Sequence, residues 1–280
     1  MVSLFHASVS RASRQRLVHC QELFYQVERL MQATLQDKVV CVTGAARRVG
    51  RAIALAFAAE GAHVIIHHSA SDAEAELTAK EARAMGVVAL VVKADQSQPD
   101  QVARMFQTIH DHYGRLDVMV NSAANFRRTD LLDISYEEWQ EVIGVNLTGP
   151  FLCTQHAARL MIDSGAGGAI INIGDVAGQQ PWKTRPHHSI SKAGVMMLTK
   201  VSALSLGEHN IRVNCVVPGP VLPPVGSGPE LWQRLAEQSP LKRNGDPDDV
   251  ARACVFLATN DFVTGTILSV DGGEGINSGR

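Results

Sequence analysis

VVCVTGAARRVGRAIALAFAAEG, residues 39–61, reads as an apolar strand, a glycine turn and a helix in unbroken succession. Val39 to Val42 suit a strand buried on both faces. Gly44 lets the chain turn sharply, and Gly50 lets the next helix lie close to the strand. The free N–H groups at the helix start then face an anion. A glycine pair alone marks many strand-to-helix turns. Between a strand and a helix it stands in the context that a dinucleotide site requires.

Working outward, the same alternation repeats. Apolar runs occur at 63–68, 87–95, 116–124, 169–175, 211–219 and 266–273, rich in Val and Ile and bounded by Gly, Pro or Asn. Between most of them lie helix patterns of ten residues or more, such as 50–60 and 72–85. Continuous apolar strands alternating with helices predict one doubly wound parallel α/β sheet with helices on both faces, Rossmann-like. Residues 38–275 carry no linker, repeat or low-complexity run, so residues 37–280 are read as a single domain.

Residues 1–36 form an N-terminal extension of different character. Met1 to Gln21 hold no acidic residue, while Arg11, Arg14 and Arg16 stand among serines. Three readings stand: an organelle transit segment, an upstream start with the true one at Met31, or an accessory helix. The last rests on Leu17, Cys20, Phe24, Val27 and Met31, which fall on one helical stripe.

Composition narrows the partners. Twenty-six basic against 28 acidic residues give no pull toward nucleic acid or an anionic membrane. Aromatics at 5% are too few for a base-stacking platform. No apolar run is long enough to span a bilayer. The five cysteines are odd in number, widely spaced and without a CxxC, which points to a reducing, cytoplasmic setting and to no bound metal. Import into an organelle remains open on the transit reading of residues 1–36.

The cofactor can be read further. A carboxylate that binds a ribose 2′-hydroxyl is expected at the end of the second strand. That region reads HVIIHHSAS, with His67, His68 and Ser69 and no carboxylate before Asp72. Arg47, Arg48 and Arg51 crowd the glycine turn instead. An arginine without a competing carboxylate favours a 2′-phosphate, hence NADP(H).

TGAARRVG (43–50), Asp95, VNSAA (120–124), VNLTGPF (145–151), IINIGD (170–175), SISK (189–192), VPGPV (217–221) and SVDGG (269–273), in this order, resemble the short-chain dehydrogenase/reductase family from Lys38 to Gly275. The resemblance implies that Gly44, Arg48, Val49, Gly50, Asn121, Ala123, Lys192, Pro218 and Gly219 line the cofactor, with Asp95 at adenine. It also implies that Asn146 supports Lys192 through a water, and that the protein is a homotetramer built partly through the long helix after Lys192. Within the family the chain is most similar to pteridine reductases. Arg48, His67, Phe126 and Asp175 match their arginine, histidine, pterin-stacking phenylalanine and catalytic aspartate, while Ala70 and Ala124 depart from their pattern.

One position departs from the whole family. A tyrosine four residues before the lysine protonates the group that receives hydride, and here His188 stands in its place. His188 itself can serve as the acid, since imidazole titrates near neutrality beside Asp175 and Lys192. Alternatively His187, Asp175 or a water supplies the proton, or the site only binds nucleotide. Trp182 is a candidate second aromatic wall beside Phe126.

These readings predict an NADPH-dependent reductase of a small C=N or C=O substrate, pteridine reductase-like, with Asn146, Asp175, His188 and Lys192 as the catalytic group. A carbonyl or 3-oxoacyl reductase or alcohol dehydrogenase is the alternative. An inactive NADP(H)-binding protein is the other.

Overall fold

Strand register decides the architecture. In this computed structural model, which describes residues 34–224 and 226–276, Val40 of the first strand lies opposite both Val64 and Val118. The chain divides into a unit 1–34 and a unit 35–280, and the fold lies in the second. Residues 1–33, and with them the three readings of the N-terminal extension, lie outside the described residues.

Seven strands run parallel: β1 (Val39–Val42), β2 (His63–His68), β3 (Ala89–Lys93), β4 (Val118–Asn121), β5 (Gly168–Ile173), β6 (Ile211–Pro218) and β7 (Ile267–Val270). Their order across the sheet is β3-β2-β1-β4-β5-β6-β7. Between them lie α1 (Arg48–Ala59), α2 (Asp72–Ala84), α3 (Pro99–Tyr113), α4 (Tyr136–Ile143), α5 (Gly149–Asp163), α6 (Pro186–Leu206), α7 (Pro229–Gln238) and α8 (Pro247–Thr259).

The pleat sorts each strand between two cores. Val40 and Val42 pack with Ile53 and Phe57 of α1 and Leu257 of α8, whereas Val39 and Cys41 pack with Ile109 of α3 and Met161 of α5. Both faces are therefore dry, which is why the strands read as unbroken apolar runs rather than alternating ones. The connections reverse direction between β1 and β4. The crevice at their carboxyl ends is where open α/β sheets bind ligands.

Polar groups at that edge hold the turn in shape. Gly44 has φ +66°, and a Cβ there would lie 2.9 Å from Ala123 Cα. At Gly50 a Cβ would meet Gly44 O at 2.3 Å, so the helix can approach only without a side chain. The Thr43 hydroxyl accepts the N–H groups of Ser122 (3.0 Å) and Ala123 (3.1 Å), fastening β4 to the turn. His67 at the end of β2 accepts the Gly44 N–H at Nδ1 (3.3 Å), and its Nε2–H donates to Ala94 O (2.9 Å).

Those two bonds require a neutral His67. Burial pulls its pKa from 6.5 to about 4, with the Ala94 bond opposing. The unfolded ring takes up its proton at higher pH than the folded one. The stabilisation is thus complete above about pH 6.5 and is lost as pH falls toward 4. Thermal unfolding across that window should show wild type losing roughly 3 kcal/mol relative to a His67→Asn variant. Parallel curves for the two proteins would show that the ring is not the titrating group.

Candidate active site

Four carboxyl strand ends converge on one crevice. The glycine turn follows β1, Asp95 follows β3, Asn121 ends β4 and Gly219 follows β6. Asn121 donates its amide to Thr154 Oγ1 (3.2 Å) and Asn172 Oδ1 (2.8 Å), and its own Oδ1 is buried without a partner. Asp95 caps the turn after β3, with Oδ1 accepting from Ser97 N (2.9 Å) and Ser97 Oγ (2.8 Å). Gly219 lies so close to Asp271 that a Cβ would come within 2.7 Å of its Cα, and Pro218 closes β6 just before it. Val49 packs against the α1-side core, and Ala123 abuts Gly44. A tight glycine turn opening the N-terminus of α1 at the carboxyl end of β1, together with a buried Asn121 oxygen left unpaired, fits a dinucleotide.

The ring nitrogens of His67 are both occupied by backbone, so it shapes the turn and has no donor free for a 2′-phosphate. His68 is buried with Nδ1 unpartnered, and Ser69 is exposed. Arg51 is paired with Glu81. Arg48 is exposed, holds a left-handed backbone at φ 55°, and donates to the Pro223 carbonyl (3.4 Å). Asp72, the first carboxylate after β2, is bound by Lys93 at 2.9 Å through both oxygens.

Proton-transfer groups meet at the head of α6. Pro186 occupies the first turn of this helix, where its missing N–H costs nothing, and His187, His188 and Lys192 follow. His188 is only 2% exposed. Its Nε2 lies 3.2 Å from Asp175 Oδ2, and its Nδ1 lies 3.3 Å from Asn125 O. Nδ1 also lies 3.4 Å from the Asn146 amide nitrogen, so Nε2 is the nitrogen that faces an acceptor alone. Asp175 is itself held, because its Oδ1 accepts the Ala177 N–H (2.8 Å).

Asn146 sits in a π-helical turn, Gly144–Thr148, between α4 and α5. Its Oδ1 accepts the Asn125 N–H (2.6 Å), and its Nδ2 donates to Asn125 O (2.9 Å) and Ser191 Oγ (3.3 Å). Its protein partners are in the loop after β4 and at the head of α6, where its Nδ2 also lies 3.4 Å from His188 Nδ1. Lys192 Nζ donates to Ile173 O at 2.7 Å, fully buried, and burial lowers its pKa against the pull of Asp175. His187 is fully buried and turned away to Glu138 Oε1 (3.0 Å).

Aromatic walls enclose the ring. Phe126 meets His188 edge-on at 4.8 Å, and Trp182 lies stacked at 6.3 Å. Asn125, Ser191, Glu138 and Arg185 were missed in the sequence, because their contacts join segments far apart in the chain.

A family model described as Enoyl-(Acyl carrier protein) reductase matches residues 44–274. The chain belongs to the short-chain dehydrogenase/reductase family. Within it, the chain is 38% identical over 242 residues to a 3-oxoacyl-[acyl-carrier-protein] reductase of Synechocystis sp., covering 85% of this chain and 97% of that protein. It is also 38% identical over 252 residues to an L-rhamnose 1-dehydrogenase (NAD(P)(+)) of Azotobacter vinelandii, covering 87% and 98%. Among solved structures, an acetoin dehydrogenase from Salmonella typhimurium matches with a TM-score of 0.80 at 32% identity, covering 87% and 99%. The family makes the protein an oxidoreductase that binds a nicotinamide cofactor.

Proposed function

We propose that the protein is an NADPH-dependent reductase of a small carbonyl compound, with His188 as its proton donor. The observation that carries this reading is the His188–Asp175 contact of 3.2 Å. It pairs the imidazole with a carboxylate, as an acid-base group requires. The carbonyl substrate is supported by relatives named as 3-oxoacyl reductase, rhamnose dehydrogenase and acetoin dehydrogenase. A second reading, a C=N bond in a pterin-like ring, is favoured by the walls Phe126 and Trp182, set edge-on at 6.0 Å. A basic nitrogen also demands less of the acid.

When bound, NADPH supplies the hydride. The chain's residues then manage the proton. The substrate oxygen gains negative charge as its carbon accepts hydride, and the proton passes to it from His188 Nε2 by way of Asp175, the more open of the pair. Asp175 holds the ring in position and stabilises its charged form. Asn146 fixes Asn125, whose carbonyl meets the other ring nitrogen. Lys192, anchored to Ile173 O, presents a buried cation at the end of β5 for the cofactor's ribose.

NADPH oxidation with ketones, quinones and dihydropterins should reveal turnover that falls by ~10²–10⁴ in His188→Ala. Tight NADPH binding with no turnover, and activity appearing only in His188→Tyr, would make the protein a binder with a disabled site.

Arg48 is the proposed 2′-phosphate ligand, because it is exposed beside the turn and Asp72 is taken by Lys93. Arg48→Ala should cut the preference for NADPH over NADH by roughly ten- to a hundredfold, the size of one charge-assisted hydrogen bond. An unchanged ratio of kcat/KM values would remove Arg48 from that role.

We also propose a cytoplasmic homotetramer. Its support is apolar surface on two faces, with Met197, Val201 and the 87% exposed Leu204 on α6, and Phe256 of α8 with the 94% exposed Phe262 after it. Four buried, unpaired cysteines among the described residues suit a reducing compartment. Light scattering should give the mass of four chains, and Leu204→Glu should lower it. A monomer at micromolar concentration would refute the assembly.

A further inference from the structure

Two arginines beside the active site lack an anionic partner. Arg185 immediately precedes α6, and its guanidinium lies over the Phe126 ring at 4.2 Å and 5.8 Å from that of Trp182. Its Nε is buried with no hydrogen-bond partner. Arg128 is exposed two residues beyond Phe126. Among the described residues, neither arginine forms an ion pair.

Glu138 and Glu141 nearby are already engaged, while Glu137 is exposed and lines the same cavity as Arg128. Glu138 accepts from Thr129 Oγ1 (2.5 Å) and meets His187, while Glu141 meets Arg127 (2.9 Å) and Asn125 Nδ2 (3.1 Å). Asp175 divides its oxygens between His188 and the Ala177 N–H, though its charge still favours the Arg185 cation. Burial and the neighbouring Arg128 both work against the charged form of Arg185. A cavity of about 480 Å³ opens beside Phe126, Arg127 and Arg128, with Thr129 and the acidic Glu137, Glu138 and Glu141 on its other side; Arg185 is not part of its lining.

A part-buried guanidinium with an unpaired N–H, repelled by a second arginine, is costly unless a ligand supplies the countercharge. Phe126 touches both the Arg185 guanidinium and the His188 ring. An anion held by Arg185 therefore leaves the rest of a short substrate beside the proton donor.

We propose that the substrate of this reductase carries a carboxylate, bound by Arg185 with Arg128 beside it, and is thus a small oxo acid. The inference rests on the reductase reading for the position of the reacting carbonyl, but the anion site can be tested without turnover.

Calorimetric titration of the full chain with benzoate, benzamide and phenyl phosphate separates charge from shape. Benzoate should bind and benzamide should not. Arg185→Gln should weaken benzoate by roughly ten- to a hundredfold, while Arg185→Lys keeps part of the affinity. In turnover, benzoylformate should be preferred over its methyl ester, and Arg185→Gln should erase that preference through KM. Equal binding of benzoate and benzamide, no binding of benzoate, or discrimination unchanged in an Arg185→Gln protein of wild-type melting temperature would overturn the proposal. If Arg185→Gln fails to fold, loss of the discrimination in Arg128→Gln supports the site and its retention overturns it. Tighter, Arg185-dependent binding of phenyl phosphate would replace the carboxylate by a phosphate and overturn the oxo acid. Arg185-dependent benzoate binding without reduction of either ketone would sustain the anion site and defeat the reductase reading instead.

Discussion

The amide of Asn146 is the joint on which the active site depends. It is buried, so its oxygen and two protons must find partners within the protein. They find the Asn125 N–H, the Asn125 carbonyl and Ser191, which belong to the loop after β4 and to α6. The orientation of the amide is fixed, because reversing it would set an N–H against the Asn125 N–H. Leaving one such group unpaired costs about 1–3 kcal/mol, enough to hold a single arrangement. The His188 ring is then located by what remains, the Asn125 carbonyl on one side and Asp175 on the other. The π-helical turn explains how a residue within a nearly continuous helix reaches inward. Its wider winding breaks the register between α4 and α5 at the position where the side chain is needed.

The sheet imposes the other constraint. Strands buried on both faces leave polar side chains few places except the carboxyl edge, and there they link in a chain. Thr154, Asn121, Asn172 and Thr199 run across β4 and β5 into α6, with Asn172 donating to Thr199 Oγ1 at 2.9 Å. Asn121 and Asn172 are paired in register, so their contact follows from the parallel alignment of the two strands. The chain ties the crevice to the helix that carries His188 and Lys192. The cofactor side and the proton side of the site therefore share one rigid support.

Much of this was legible in the residues. The strands lie within the Val- and Ile-rich runs, ending a few residues inside them or one outside, because a double-faced core leaves no other reading of such runs. The glycine turn was legible because two positions there exclude a Cβ. The meaning of His67 was not, since nothing local tells a ring facing a ligand from one turned beneath the turn toward Ala94. Arg51 and Arg48 look alike in sequence, and only the distant Glu81 separates them. His187 and His188 are neighbours, yet one is turned to Glu138 and the other to Asp175, a division set by helix geometry and by two residues from other segments. Contacts that close long loops leave no local signal, and the active site is made largely of such contacts.

The replacement of tyrosine by histidine changes how the acid is renewed as well as what it is. A phenol extends its hydroxyl beyond the ring, whereas an imidazole carries its protons on the ring itself. The His188 ring is held edge-on to Phe126, nearly parallel to Trp182, and bonded at both nitrogens. It has little room to turn toward solvent after giving up a proton. Asp175 is the more open of the two partners, 24% exposed against 2% for the histidine. On the proposed chemistry a water at Asp175 is the nearest source of the next proton, and the aspartate then stands where serine is usual in the family because it must both hold the ring and face water. Serine could accept a bond from the ring, but it could not carry the charge that stabilises an imidazolium. On the proposed chemistry Asp175 is thus both the brace of the histidine and its link to water.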